Sequence, residues 1–298
     1  MALSPTTNQV NDLPKKAKKE NQTLKLLKLL SRNKGAVIGF FVICVIVFCA
    51  IFSPLLSPYG YADIDMDNMF AKPSWEHPFG CDELGRDILS RVMYGGRFSV
   101  QIGFYATLLA TICGITFGSL AGYYGGMADS VIMRIMDVVQ AIPGMLLSIA
   151  IASVLGNGLV EMSIALGVGN IPQFTRILRG SILTVRKSEY LDAAKADGTT
   201  TLRMIRKHVL PNSISPIIVQ ATLGCANVIL LASSLSFIGL GIKPPNPEWG
   251  AMLSAGRGYF RDYTHLLLFP GIAIALIVLS LNLLGDGLRD ALDPRMKK

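Results

Sequence analysis

Six stretches of the chain are apolar for long enough to cross a hydrocarbon core, and most of its polar residues are gathered between them. A core about 30 Å thick needs about 20 residues of helix rising about 1.5 Å each. The stretches run 35–57, 98–122, 131–155, 159–180, 212–240 and 264–286, which predicts an all-α integral membrane protein of six transmembrane helices. The first, GAVIGFFVICVIVFCAIFSPLL, carries no charge and follows a basic leader. That leader is long and no small-x-small cleavage pattern follows the apolar run, so a retained span is expected rather than a signal peptide. Pro143, Pro172, Pro216 and Pro270 fall inside the spans and are read as tolerated kinks, with helices broken at a substrate site as the alternative. Gly103, Gly114, Gly118 and Gly122 are read as close-packing positions between helices.

Composition agrees with a lipid solvent. The chain is 51% apolar and 16% charged, against about 25% charged in soluble domains. The net charge of +8 would suit nucleic acid, but its distribution follows membrane topology instead. With a cytoplasmic N-terminus, segments 1–34, 123–134, 176–210 and 287–298 lie inside and hold 21 of the 28 Lys and Arg residues. That bias places both termini in the cytoplasm. No nucleic acid partner is expected. Residues 1–23 lack apolar periodicity. Leu24, Leu27 and Leu30 then alternate with Lys25, Lys28 and Arg32 as an amphipathic basic helix suited to anionic membrane lipid. The expected organisation is a cytoplasmic tail and amphipathic helix at 1–34, a first span at 35–57, an outside loop at 58–97, a core membrane domain at 98–286 with a cytoplasmic loop at 185–211, and a tail at 287–298.

Catalytic chemistry is poorly represented. Five cysteines show no CxxC spacing, and His77, His208 and His265 are far apart, so no metal site is expected. No GxxxxGK[ST] phosphate loop occurs, nor HExxH, nor GxSxG. The chain is therefore expected to bind no cofactor and hydrolyse no ATP. An ion-coupled transporter would need ionisable groups within its spans, yet the span middles are almost uncharged. Arg134 and Asp137 lie near a span end, three residues apart, where they can pair.

One polar segment is structured. EYLDAAKADGTTTLRMIRKHVLPN, residues 189–212, places Ser188 as a cap, Glu189 and Asp192 in a first helical turn, and Gly198 at a helix-ending position. A second helix carrying Leu202, Ile205 and Val209 is expected before Pro211. Ala193 and Ala194 leave a bare surface that another chain could approach; an amphipathic connector lying on lipid is the alternative.

DAAKADG followed by HVLP resembles the EAA loop of ATP-binding cassette importer permeases. Asp192, Ala193, Ala194, Gly198, Leu210 and Pro211 fall on that pattern, with Asp192 in place of Glu and His208 in place of Ile. HPFGCDELGRDILSRVMYGGRFS (77–99), KPPNPEWGAML (243–253) and NLLGDGLRDALDPR (282–295) look like the C-type permease subunits of dipeptide, oligopeptide and nickel importers, apart from Cys81 where Thr is usual. The resemblance implies a type I importer permease fold in a bacterial cytoplasmic membrane, and a loop at 189–211 docked on a cytoplasmic ATPase. It further implies a homologous B-type permease, two ATPase subunits that carry ATP and Mg, and an extracytoplasmic peptide-binding protein. Asp82, Arg86, Asp87 and Trp249 lie in the outside loops, where they either fold the loop as a plug or meet the binding protein; Trp249 also suits the membrane interface. Gln220 and Asn227, seven residues apart on one helix, are candidates for the translocation path. Cargo would be di- or oligopeptides, with glutathione or metal chelates as alternatives.

Overall fold

The computed structural model describes residues 28–292; the tail, most of the amphipathic helix expected before Lys34, and residues 293–298 lie outside them. Those described residues are helical, with a single isolated bridge between Cys81 and Asp87 and no named strand. The long helices are α1 (Lys34–Ile51), α2 (Ile88–Tyr124), α3 (Gly126–Ala141), α4 (Gly144–Leu155) and α5 (Leu159–Val185). A short α6 (Glu189–Ala196) follows, then α7 (Ser215–Phe237), α8 (Trp249–Gly256) and α9 (His265–Leu292). Four of these, α1, α2, α7 and α9, are long and apolar enough to cross a membrane.

Three boundaries differ from the hydropathy pattern. Helix α2 starts at Ile88, ten residues before the apolar run, so the loop before it ends at Asp87 rather than 97. Its first turns, ILSRVMYGGR, are polar by sequence but are covered by protein, with Ser90, Arg91, Gly95 and Gly96 buried. The expected span at 131–155 is two helices, α3 and α4, bent by 86°. Pro143 forces the break: it lacks an N–H, and it pushes Ile142 into extended backbone at φ −86°, ψ 127°. The expectation of a tolerated kink therefore fails at Pro143. It holds at Pro172 and Pro270, through which α5 and α9 run unbroken, and Pro216 lies harmlessly in the first turn of α7. Finally, α9 continues to Leu292, into the segment assigned to the tail.

The α2–α5 pair forms the centre. Ala106, Ala110, Gly114, Gly118 and Gly122 recur every four residues on α2, and all are buried. A Cβ on Gly114 would stand 2.3 Å from the Phe174 Cβ, and one on Gly118 2.9 Å from the Thr175 carbonyl oxygen. Gly167 of α5 returns the approach, 3.0 Å from the Ala106 carbonyl oxygen. Apolar side chains continue the seam at both ends. Ile102, Met162 and Leu166 pack with Val228 and Leu235 of α7 at one end, and Phe174, Leu178 and Ile182 pack with Ile217 at the other. The termini of the described chain meet: Asn33 caps α1 by accepting from Ala36 N at 3.1 Å, and its amide donates to Asp290 of α9 at 3.3 Å.

Gly114→Val should lower the unfolding free energy in detergent by about 2 kcal/mol or more, the cost of overpacking a filled interface. Gly271→Ala, where a Cβ meets nothing within 4 Å, should leave the melting temperature unchanged within error.

Candidate functional site

The polar segment between α5 and α7 folds as the residue pattern requires. Helix α6 ends at Gly198, whose φ of +74° lies in the left-handed region that glycine reaches without strain. Asp197 N donates to the Ala193 carbonyl at 3.1 Å and Thr199 N to the Ala194 carbonyl at 3.2 Å, which closes the last turn. One helical turn follows at Thr201–Met204, then a widened π turn at Ile205–Val209, then Leu210–Ser213. Pro211 explains the widening in part, because it removes an N–H donor at the junction. Leu210 N donates instead to the Ile205 carbonyl, and the Asn212 amide covers the His208 carbonyl at 2.7 Å.

The wide turn changes which side chains face the core. Met204 and Val209, five residues apart, are both fully buried and pack with Leu191 against Leu178 and Ile182 of α5. The expected set of Leu202, Ile205 and Val209 is corrected at Leu202, which is 66% exposed. On the outer face Asp192, Ala193, Gly198, Arg203, Arg206, Lys207 and Pro211 are exposed, while Ala194 and Leu210 are half-buried against the core cluster. The segment is thus anchored by one face and exposed on the other. Salt bridges brace α5 above it. Arg179 Nη2 donates to Asp129 at 2.6 Å, and Arg176 bonds Asp137 at 2.5 Å as well as Gln140. Asp137 therefore pairs with Arg176 across the fold, not with Arg134.

At the opposite end, the sequence-selected loop residues form a buried frame. Asp82 Oδ2 accepts from Arg86 Nε at 2.8 Å and lies 3.4 Å from Arg91 Nε, while Oδ1 accepts from Leu84 N and Arg86 N. Asp87 caps α2: its Oδ2 accepts from Ser90 N and Ser90 Oγ at 2.7 Å each, and its Oδ1 lies 3.0 Å from His77 Nδ1. Trp249 lies under α2, with Nε1 donating to the Val92 carbonyl at 2.9 Å. These side chains are occupied and covered: Asp82, Arg86, Asp87 and Trp249 are 2–7% exposed. They act as the frame of the loop, and neither a docking face nor, for Trp249, an interfacial position fits that burial.

Sequence reading missed Glu248, which is fully buried and caps α8 by accepting from Gly250 N at 2.9 Å and Ala251 N at 2.8 Å; Ser99 Oγ donates to it from α2 at 3.2 Å. Burial pushes its carboxyl up from the usual range, against the opposing pull of those donors. An acidic residue just ahead of a helix start was the available signal. Cys81 is buried, and burial with Asp87 and Asp82 nearby pushes its thiol up to about 12, so it is unreactive at neutral pH.

The two path candidates part company. Gln220 lines an open cleft of about 850 Å³ between α5, α7 and α9. Asn227 does not line that cleft and is exposed farther along α7. Among the described residues no group of His, Cys, Asp and Glu could hold a metal ion.

Comparison with known proteins bears on both ends. Residues 114–298 match the family described as binding-protein-dependent transport system inner membrane component, and residues 25–73 match the N-terminal TM domain of oligopeptide transport permease C. The chain is 48% identical to the dipeptide transport system permease protein DppC of Alkalihalophilus pseudofirmus, over 91% of this chain and 89% of that one. It is 42% identical to the di/tripeptide transport system permease protein DppC of Pseudomonas aeruginosa, over 90% of each. It is also 42% identical to the glutathione transport system permease protein GsiD of Pectobacterium atrosepticum, over 91% of this chain and 90% of that one. A chain of the inward-facing MetNI methionine ABC transporter has the same fold, with TM-score 0.56 and 18% identity over 68% of this chain and 97% of that one.

Asp82→Ala should destabilise the protein by about 3 kcal/mol, since it leaves buried Arg91 without a carboxylate and Arg86 with only its 3.4 Å contact to Glu83. Glu83→Ala, at the more exposed end of the same network, should cost less than about 1 kcal/mol. Thermal unfolding in detergent separates a frame residue, which shifts the midpoint, from a surface contact, which does not.

Proposed function

We propose, because this chain belongs to the family of binding-protein-dependent transport system inner membrane components, that it is the permease subunit of an ATP-driven importer of short peptides. It is a transport subunit and not an enzyme. In this reading six spans, counting the bent α3–α4 pair as one and α5 as another, form half of a pathway in a bacterial cytoplasmic membrane. Both termini are cytoplasmic, which accords with the contact between Asn33 and Asp290. A related permease supplies the other half, two ATPase subunits carry ATP and Mg, and an extracytoplasmic binding protein delivers the cargo. Relatives named for dipeptides and for glutathione, itself a peptide, support this cargo class.

The observation that carries the coupling role is the two-faced segment after α5. Its buried face is fixed to α5 through Leu191, Met204 and Val209, while Asp192, Ala193 and Gly198 are presented outward. A rigid loop fixed to a span turns motion of a bound ATPase pair into rocking of that span, a rigid-body change biased by nucleotide. Ala194 and Leu210 hold the segment from behind, and Pro211 sets its exit into α7. Gln220, and Asn227 farther along, line the path.

Two variants test this together. Ala193→Leu should insert and melt like the wild type, yet recover at least about tenfold less ATPase subunit on purification and lose transport. Gly198→Leu should do the same, although strain at its positive φ adds a cost of about 1 kcal/mol. Normal coupling in both variants would refute the docking role. Topology is checked separately: a cysteine replacing the fully exposed Trp75 should react with an impermeant maleimide in whole cells or spheroplasts, and one replacing Leu202 only after lysis.

A further inference from the structure

The cleft between α5, α7 and α9 has a composition that the transport reading does not by itself require. Arg176 and Arg289 both line it, and no carboxylate does. Asp137 lies outside the lining and is held by Arg176, and Arg289 is the lining guanidinium with no acidic partner among the described residues. The rest of the lining mixes apolar groups such as Val219 and Leu223 with the hydrogen-bonding side chains of Ser181, Ser215 and Gln220. Those three make no side-chain hydrogen bond among the described residues, so their capacity is open to a ligand.

An excess of guanidinium selects an anion, and a planar fork suits a carboxylate. Open amide and hydroxyl groups beside it suit peptide bonds, and the apolar walls suit side chains. The volume of about 850 Å³ falls within the usual range for small-molecule pockets, about 300–1,000 Å³, and is ample for two or three residues. Gln220 and Leu223 lie five and eight residues beyond Ser215, so the cleft reaches roughly 8–12 Å along α7. Helices α5 and α7 also lead into and out of the proposed coupling loop, which puts the cleft directly behind it.

We propose that this cleft binds the C-terminal carboxylate end of a short peptide on the cytoplasmic side of the pathway. Arg289 takes the carboxylate, while Gln220 and Ser215 take the backbone amides. The proposal rests on the peptide-importer reading and gives that cargo a contact within this chain.

The test uses the assembled importer in nanodiscs, after peptide transport by the same preparation has been shown in liposomes, and omits the binding protein. The probe is alanyl-p-benzoylphenylalanine, photo-crosslinked and mapped by mass spectrometry. Label is expected between residues 176 and 185 or 212 and 223. Alanyl-phenylalanine should displace it at a concentration at least about tenfold lower than its C-terminal amide does, the margin of one charge-assisted bond. Arg289→Gln should erase that preference and Arg289→Lys should keep part of it; Arg289 is exposed, so neither change threatens folding. Absence of label from the cleft, equal displacement by acid and amide, or a preference surviving Arg289→Gln would overturn the proposal. So would displacement by phosphatidylglycerol in place of phosphatidylcholine, which would assign the cleft to anionic lipid. A preparation that failed to transport peptides at all would strike instead at the reading beneath it.

Discussion

The close approach of α2 and α5 is the constraint on which the rest of the structure depends. Lipid is as apolar as a leucine side chain, so burying large apolar groups between helices gains little in a membrane; contact area must come from backbones brought near each other. Five small residues spaced by four on α2, answered by Gly167 on α5, provide that approach. Each end of the pair then carries a different polar assembly. The first turns of α2 anchor the buried frame built by Asp82, Asp87 and Trp249, and the last turns of α5 anchor the segment at 189–213. One rigid seam therefore joins the two faces of the protein.

Charge is placed where its cost can be met. Asp82, Arg86, Asp87, Arg91 and Glu248 are almost wholly buried, but each carboxylate accepts several donors at hydrogen-bonding distance. Replacing such a network with apolar groups is often neutral, whereas removing one member exposes the full desolvation cost of its partner. On the other side, Arg176 and Arg179 sit within α5 and reach Asp137 and Asp129 on α3, so the bent α3–α4 unit is tied to the same central helix. Arg176 and Arg179 thus serve as ties between elements, an arrangement unlike a chain of proton or ion sites along a span.

The segment at 189–213 shows how a short polar stretch acquires two unlike faces. Gly198 lets the chain reverse after two turns, and the π turn ahead of Pro211 rotates Met204 and Val209 to one side. The same rotation turns Leu202 outward. Fixing one face leaves the other exposed.

Much of this was legible in the residues. A span in lipid must satisfy its backbone internally and show about 20 apolar side chains, a local demand that the sequence displays directly. The glycine cap at Gly198 and the packing glycines on α2 were equally local. Partnerships between distant residues were not: whether Asp82, Arg86, Asp87 and Trp249 fold the loop or meet a partner stayed open until the fold covered them, and Asp137 read as the partner of a near neighbour until α5 brought Arg176 beside it. Hydropathy also placed the start of α2 ten residues late, because polar turns buried by protein look the same in sequence as polar turns in water. The sequence by itself determined which segments are long and apolar enough for lipid and where the backbone turns, since both depend on contiguous residues. Only the tertiary structure decided which polar groups are spent inside the protein and which remain to meet a partner or a ligand, because burial depends on what the rest of the chain brings to each site.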